Sequence, residues 1–289
     1  MAAQIVNLLI TGVTVGSVYA IMAIGLSFVY SVTNVLNYAQ GAMFTWSAYI
    51  AWMLSSGYFR LPYFLVIVIT LPVMLIFGFV FEKALIAPLR RFKGWEMSAI
   101  IVTLGSALLL DNLALVLFGT PPKQVPHLAE GNLTLGGFSV TKHEFITLIV
   151  ALVTIILLVQ FSKRVRAGMA MQALAQDITG ARIVGIPTGR MFSYAFAIAG
   201  VLAGLGGILL APKVLVYPSV GWLVFVKAFV VMVFGGLGSY KGTAIAAFVL
   251  ATLEAFVAYY VGAIWGMPAF IVVLVIMLSV RPRGLFGRW

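Results

Sequence analysis

The chain has 289 residues, of which 63% are hydrophobic and only 9% charged. A soluble domain carries roughly 25% charged residues, so water alone cannot solvate this surface and lipid must cover most of it. The net charge of +11 matches the positive-inside bias of a membrane protein rather than nucleic-acid binding, and the absence of cysteine excludes disulfides and thiolate metal sites.

Hydrophobic segments fall at about 5–31, 38–55, 62–86, 97–118, 143–162, 191–211, 222–237, 243–262 and 266–280. Runs of about 20 apolar residues are what a hydrocarbon core of roughly 30 Å requires. The pattern predicts an all-α polytopic membrane protein, a single transmembrane domain over 1–289, with about 8–9 transmembrane helices of which one or more are broken or re-entrant. A β-barrel would show short alternating segments instead. The opening "MAAQIVNLLITG" has no basic n-region, so the first apolar segment is expected to remain as a membrane helix. The short seventh segment, flanked by glycine, reads as a half-span or one part of a broken helix.

Charge in the loops sets the expected orientation. Arg90, Arg91 and Lys93 follow the third segment, Lys163, Arg164, Arg166, Arg182 and Arg190 separate the fifth from the sixth, and Arg281, Arg283 and Arg288 form the tail. With nine crossings these clusters, joined by Lys83 and Lys241, share one side, giving it 13 of the 18 basic residues. That side is expected to be the cytoplasm, with the N-terminus outside and the C-terminus inside. The longest loop on the other side, 119–144, has three prolines and a run of β-forming residues suited to a small hairpin or cap.

Chemistry-bearing patterns are sparse. "GGLGSYKGT" at 235–243 fails the phosphate-loop pattern because Tyr240, not glycine, precedes Lys241, and it reads as a tight turn between packed helices. No catalytic set stands out. His127 and His143 lie too far apart along the chain, without clustered carboxylates, to suggest a metal site. Gly12 with Gly16, and Gly200 with Gly204, have the four-residue spacing that lets membrane helices approach closely.

Polar residues at membrane depth are more informative. Asp111 and Asn112 lie inside "LGSALLLDNLALVLF" and Glu254 near the middle of the eighth segment. A central carboxylate costs about 2.5–3.5 kcal/mol on insertion scales, so each needs protein or water and a partner. In "SVTNVLNYAQGAMFTWSAY", Asn34, Asn37, Tyr38, Gln40 and Gly41 stand between two apolar halves. They read either as an uncharged break that lines a cavity or is buried in protein, or as an ordinary short cytoplasmic turn.

Taken together, "GSVYAIMAIGLSFVYSVTNVLNYAQGAMFTWSAY", "AIIVTLGSALLL", "RAGMAMQALAQDITGARIVGIP", "KAFVVMVFGGLGSYKGTAIAAFVLATLEAF" and the closing "RPRGLFG" resemble the branched-chain amino-acid ABC transporter permeases, specifically the first of their two paired permease subunits. The resemblance covers nearly the whole chain. It implies a multi-pass subunit of a bacterial or archaeal inner-membrane importer, partnered by a second homologous permease, two cytoplasmic ATP-binding subunits and an external solute-binding protein. ATP and Mg would sit on those partner subunits, with no cofactor on this chain. Substrates across the family include branched-chain and other amino acids, amides and urea. Where many relatives read "LNFAHGE", this chain has "LNYAQGA", so Gln40 and Ala42 replace a titratable group and a charge.

The expected solute pathway comprises Asn34, Asn37, Tyr38, Gln40, Asp111 and Asn112. The resemblance makes 163–190 a cytoplasmic coupling segment, with Leu174, Ala175, Asp177, Gly180, Gly185 and Pro187 at the ATPase contact. Ala170, Leu174, Ile178 and Ala181 follow helical spacing, and Gly185-Ile186-Pro187 is a helix stop. Such an amphipathic piece lays one face in a partner's groove, or else lies flat on anionic headgroups. A stand-alone secondary transporter or channel, relaying ions through Asp111 and Glu254, is the competing reading.

Overall fold

The computed structural model describes residues 2–129, 131–135, 138–282 and 284–286; Arg283 and Arg288 of the basic tail lie outside them. The order is α1 (Ala2–Thr33), α2 (Ala39–Trp52), α3 (Tyr63–Phe81), α4 (Trp95–Phe118), a hairpin of β1 (Asn132–Leu135) and β2 (Phe138–Thr141), α5 (Lys142–Arg164), α6 (Arg166–Gln176), α7 (Ile178–Ile183), α8 (Thr188–Leu210), α9 (Val220–Gly235), α10 (Tyr240–Tyr260) and α11 (Gly266–Val280). Among the described residues, seven helical stretches are long and apolar enough to cross a membrane; α9 is apolar but shorter. α2 is shorter still and continues into one π turn, Met53–Gly57. The fold is thus the all-α polytopic bundle expected, with about eight to nine crossings.

Local chemistry sets the helix ends. Thr141 and Glu144 form a reciprocal capping box at the start of α5, and the Ser239 hydroxyl accepts the Gly242 N–H at the start of α10. The hairpin pairs Asn132 with Thr141 and Leu135 with Phe138, as the β-forming loop suggested.

α1 and α8 form the centre. α1 packs along α10, α8, α9 and α5, while α8 also receives α3 and α2. Lipid tails are as apolar as leucine, so close backbone approach between small residues, rather than water exclusion, holds such helices together. Gly200 of α8 lies against the Met74 carbonyl of α3, and Gly16 of α1 against Ala247 and Phe248 of α10. α4 and α11 turn side chains such as Leu109, Val116, Val272 and Ile276 outward, a face suited to hydrocarbon and not to water.

The two ends differ in charge. At one, Arg90 approaches Gly189, and Lys163 and Lys241 line a common cavity. At the other, the loop after α4 bridges to the loop after α8 through Lys123 and Val216. One expectation is corrected there. His127 and His143, distant in sequence, have ring centroids 5.3 Å apart, because the hairpin folds the loop back onto α5. His143 is fully engaged: Nε2 donates to the Leu209 carbonyl (3.0 Å) and Nδ1 accepts from the Leu128 N–H (3.4 Å). Among the described residues no group of three potential ligands gathers for a metal.

Candidate functional site

The break after α1 is built from its own polar residues. Asn34 takes a left-handed conformation (φ 55°), which asparagine tolerates, and Asn37 Oδ1 accepts the Ala39 N–H (3.2 Å) where α2 begins. Gln40 Nε2 then donates to the Met22 carbonyl of α1 (3.1 Å). Met22 lies eleven residues before the end of α1, about 16 Å along its axis at 1.5 Å per residue. The chain therefore doubles back, and α2 starts well inside the bundle. This is a break buried in protein, not a surface turn.

Neighbouring helices complete its seat. The Thr103 hydroxyl of α4 accepts the Tyr38 N–H (3.3 Å) and lies 3.3 Å from the Leu36 carbonyl. Tyr38 packs on Phe225 of α9. Thr45 of α2 accepts the Gly221 N–H of α9 (2.9 Å), where Gly41 and Gly221 bring the two short helices into backbone contact. Two buried polar atoms, Asn37 Nδ2 and Gln40 Oε1, have no partner among the described residues. An unpaired buried amide atom costs about 1–3 kcal/mol, and such atoms are what a polar solute could satisfy.

The six expected pathway residues divide into three places. Asn37, Tyr38 and Gln40 come together. Asn34 is exposed beside the basic-end cavity. Asp111 and Asn112 lie two turns beyond Thr103 on α4, about 12 Å away; Asn112 is exposed and donates to the Leu108 carbonyl (2.7 Å), and Asp111 is half-buried.

Glu254 was expected to need a partner, but Lys227 was not singled out as that partner. Lys227 of α9 and Glu254 of α10 form an ion pair, and Lys227 also donates to Tyr19 Oη (3.0 Å), which donates to Glu254 Oε2 (3.1 Å). Phe270 of α11 lies under the ammonium, 5.9 Å from ring centroid to Nζ. Lys227 alone in the apolar run "GWLVFVKAFVVMVFG" was the available signal. A fully buried carboxylate, Glu82 after α3, meets Arg90 (2.7 Å) and the Ser193 hydroxyl of α8 (2.5 Å).

At the basic end, α6 and α7 meet at Asp177, whose Oδ1 accepts the Thr179 N–H (2.8 Å). The apolar stripe turns inward. Leu174 is 2% exposed and joins the bundle core with Met171 and Ala181. The expectation that Leu174 faces a partner is therefore corrected: it anchors the segment to its own chain. Ala175, Asp177, Gly185 and Pro187 are exposed and Gly180 is half-buried. The most prominent apolar groups are ones the spacing did not single out, Ile183 (80% exposed) and Val184 (75%), just before Gly185 turns the chain (φ 84°).

Residues 8–280 match the family model described as branched-chain amino acid transport system / permease component. The chain belongs to that permease family. The permease is 28% identical to the high-affinity branched-chain amino acid transport system permease protein BraD of Pseudomonas aeruginosa, over 97% of its own length and 95% of the relative's. It is also 28% identical to the corresponding LivH protein of Escherichia coli (96% and 94%) and 24% identical to a probable LivH of Methanocaldococcus jannaschii (92% and 88%). No solved structure matches it.

Proposed function

We propose that this permease is the first membrane subunit of an ATP-driven importer for branched-chain or other amino acids, or related amides or urea. It would receive solute from an external binding protein beside a second homologous permease. Two ATP-binding subunits would dock at the basic end and carry ATP and Mg themselves. That end is the cytoplasmic one, which puts the N-terminus outside. The solute route runs past Asn37, Tyr38 and Gln40, where Gln40 and Ala42 supply no charge, so the route suits zwitterionic or neutral polar solutes.

Segment 163–190 is the coupling element in this reading. Leu174 and Ala181 fix α6 and α7 on the bundle, while Ile183 and Val184 project into solvent; Ala175 and Asp177 are exposed as well. Exposed branched apolar side chains at the charged end of a bundle favour a protein groove, and this exposure is the observation that carries the reading. The stand-alone transporter loses half of its ion relay, because Glu254 is committed to Lys227 and Tyr19.

The test is affinity purification of the tagged chain from its native membrane. A second permease and ATP-binding subunits should co-purify, with ATP hydrolysis stimulated by solute-loaded binding protein. Recovery of this chain alone, active in uptake without ATP, would overturn the proposal.

A further inference from the structure

At the basic end a cavity of about 690 Å³ opens between the ends of α1 and α5, the α6 helix and the turn from α9 into α10. Its walls carry Lys163 and Lys241, the amides of Asn34, Gln172 and Gln176, and Ser162, whose hydroxyl is itself buried. No carboxylate among the described residues lines it. Among the described residues neither lysine enters an ion pair, and Ser162 Oγ, in a residue only 2% exposed, has no hydrogen-bond partner. Val159, Leu237 and Phe286 add an apolar margin.

We propose that this cavity binds the phosphate of an anionic phospholipid headgroup. Two ammonium groups with neutral donors and no acid select a ligand of net negative charge over a zwitterion, whose own cation would find no counter-charge. Phosphate supplies several acceptor oxygens for ammonium, amide and hydroxyl donors together. The apolar margin suits the glycerol and first methylenes of a lipid, and basic pockets between membrane helices at this level are the usual seats of such headgroups. Because α6 forms one wall, the occupant touches the segment that carries the proposed coupling contact. Binding itself does not depend on that coupling reading.

The experiment uses the purified full chain in neutral detergent. Retention by native mass spectrometry and thermal protection are measured with phosphatidylglycerol, phosphatidylcholine and inorganic phosphate in turn. A basic residue near a lipid surface contributes about fivefold in affinity. Lys163→Gln/Lys241→Gln should therefore bind phosphatidylglycerol about thirtyfold more weakly, and Gln176→Glu, which adds an acid to the wall, should also weaken it. Arg164→Gln, at the same end but outside the cavity, should bind as the parent does. All three positions mutated in the first two variants are at the solvent-accessible surface, and an unchanged elution profile checks their fold. Equal protection by inorganic phosphate would overturn the lipid source, and equal retention of phosphatidylcholine would overturn the charge selection. Undiminished phosphatidylglycerol binding by the double lysine variant would overturn the site.

Discussion

Lys227 on α9 and Glu254 on α10 share Tyr19 of α1 as a common hydrogen-bond partner, so one ion pair ties three helices together inside the bundle. Breaking a buried pair by removing one member leaves the other charge uncompensated, typically at about 3–5 kcal/mol. Lys227→Met should lower the melting temperature of the detergent-solubilised chain sharply. Lys227→Met/Glu254→Gln should recover part of the loss because no lone charge remains. Equal melting of Lys227→Met and parent would show that the pair holds nothing.

The break at Asn37–Gln40 makes a transport prediction. Gln40→Leu removes the bond to Met22 and the free amide oxygen while Ala39 and Gly41 keep their packing. A hydrogen bond of this kind is worth about 0.5–1.5 kcal/mol, so uptake should fall by up to about tenfold with assembly intact. Uptake measured across solute concentrations, beside the amount of assembled complex, decides it. Parental transport would reduce Gln40 to a structural strut.

For the coupling segment, Ile183→Asp and Val184→Asp should leave the fold unchanged, since both side chains are exposed. Burying one such side chain in a partner is worth about 1.5–3 kcal/mol, so ATPase co-purification should fall at least tenfold. Ala175→Trp, at an exposed position of α6, should also weaken docking, whereas on a lipid surface an added tryptophan would strengthen anchoring. Gly180→Trp is a poor probe, because even a Cβ there would press on the Asp177 carboxylate. Full recovery of ATPase with both aspartate variants would remove this corner from the interface.

Orientation can be read with introduced cysteines, as the chain has none of its own. In intact cells a cysteine at Asn132 should react with an impermeant thiol reagent, and one at Arg182 should react only after the membrane is opened. Ready labelling at Arg182 in intact cells would invert the topology.

The helical spans were legible because each is a continuous apolar run, and Asn34–Gly41 was legible as a break because amides interrupt one. Partners were not. Lys227 and Glu254 each stand alone in the sequence, and nothing local says that the turn at 236–239 returns one beside the other. Spacing showed that Leu174 and Ala181 share a face but not which surface receives it, since a stripe buried in its own bundle and one reserved for another chain have the same period. His127 and His143 met only because the intervening hairpin closes.

The meeting of α2 with α9 bears on how the chain is made. Thr45 waits for Gly221, 176 residues later, and Tyr19 waits for Lys227, 208 residues later. The contacts that fasten the first two helices to α9 therefore cannot form until the last quarter of the chain is being synthesised, although Gln40 can already bond Met22. Until then the Thr45 hydroxyl and Tyr19 lack their α9 partners. A nascent chain stalled before α9 would hold a first hairpin still unseated, and quality-control proteases would meet it as an unfinished protein with polar groups on show.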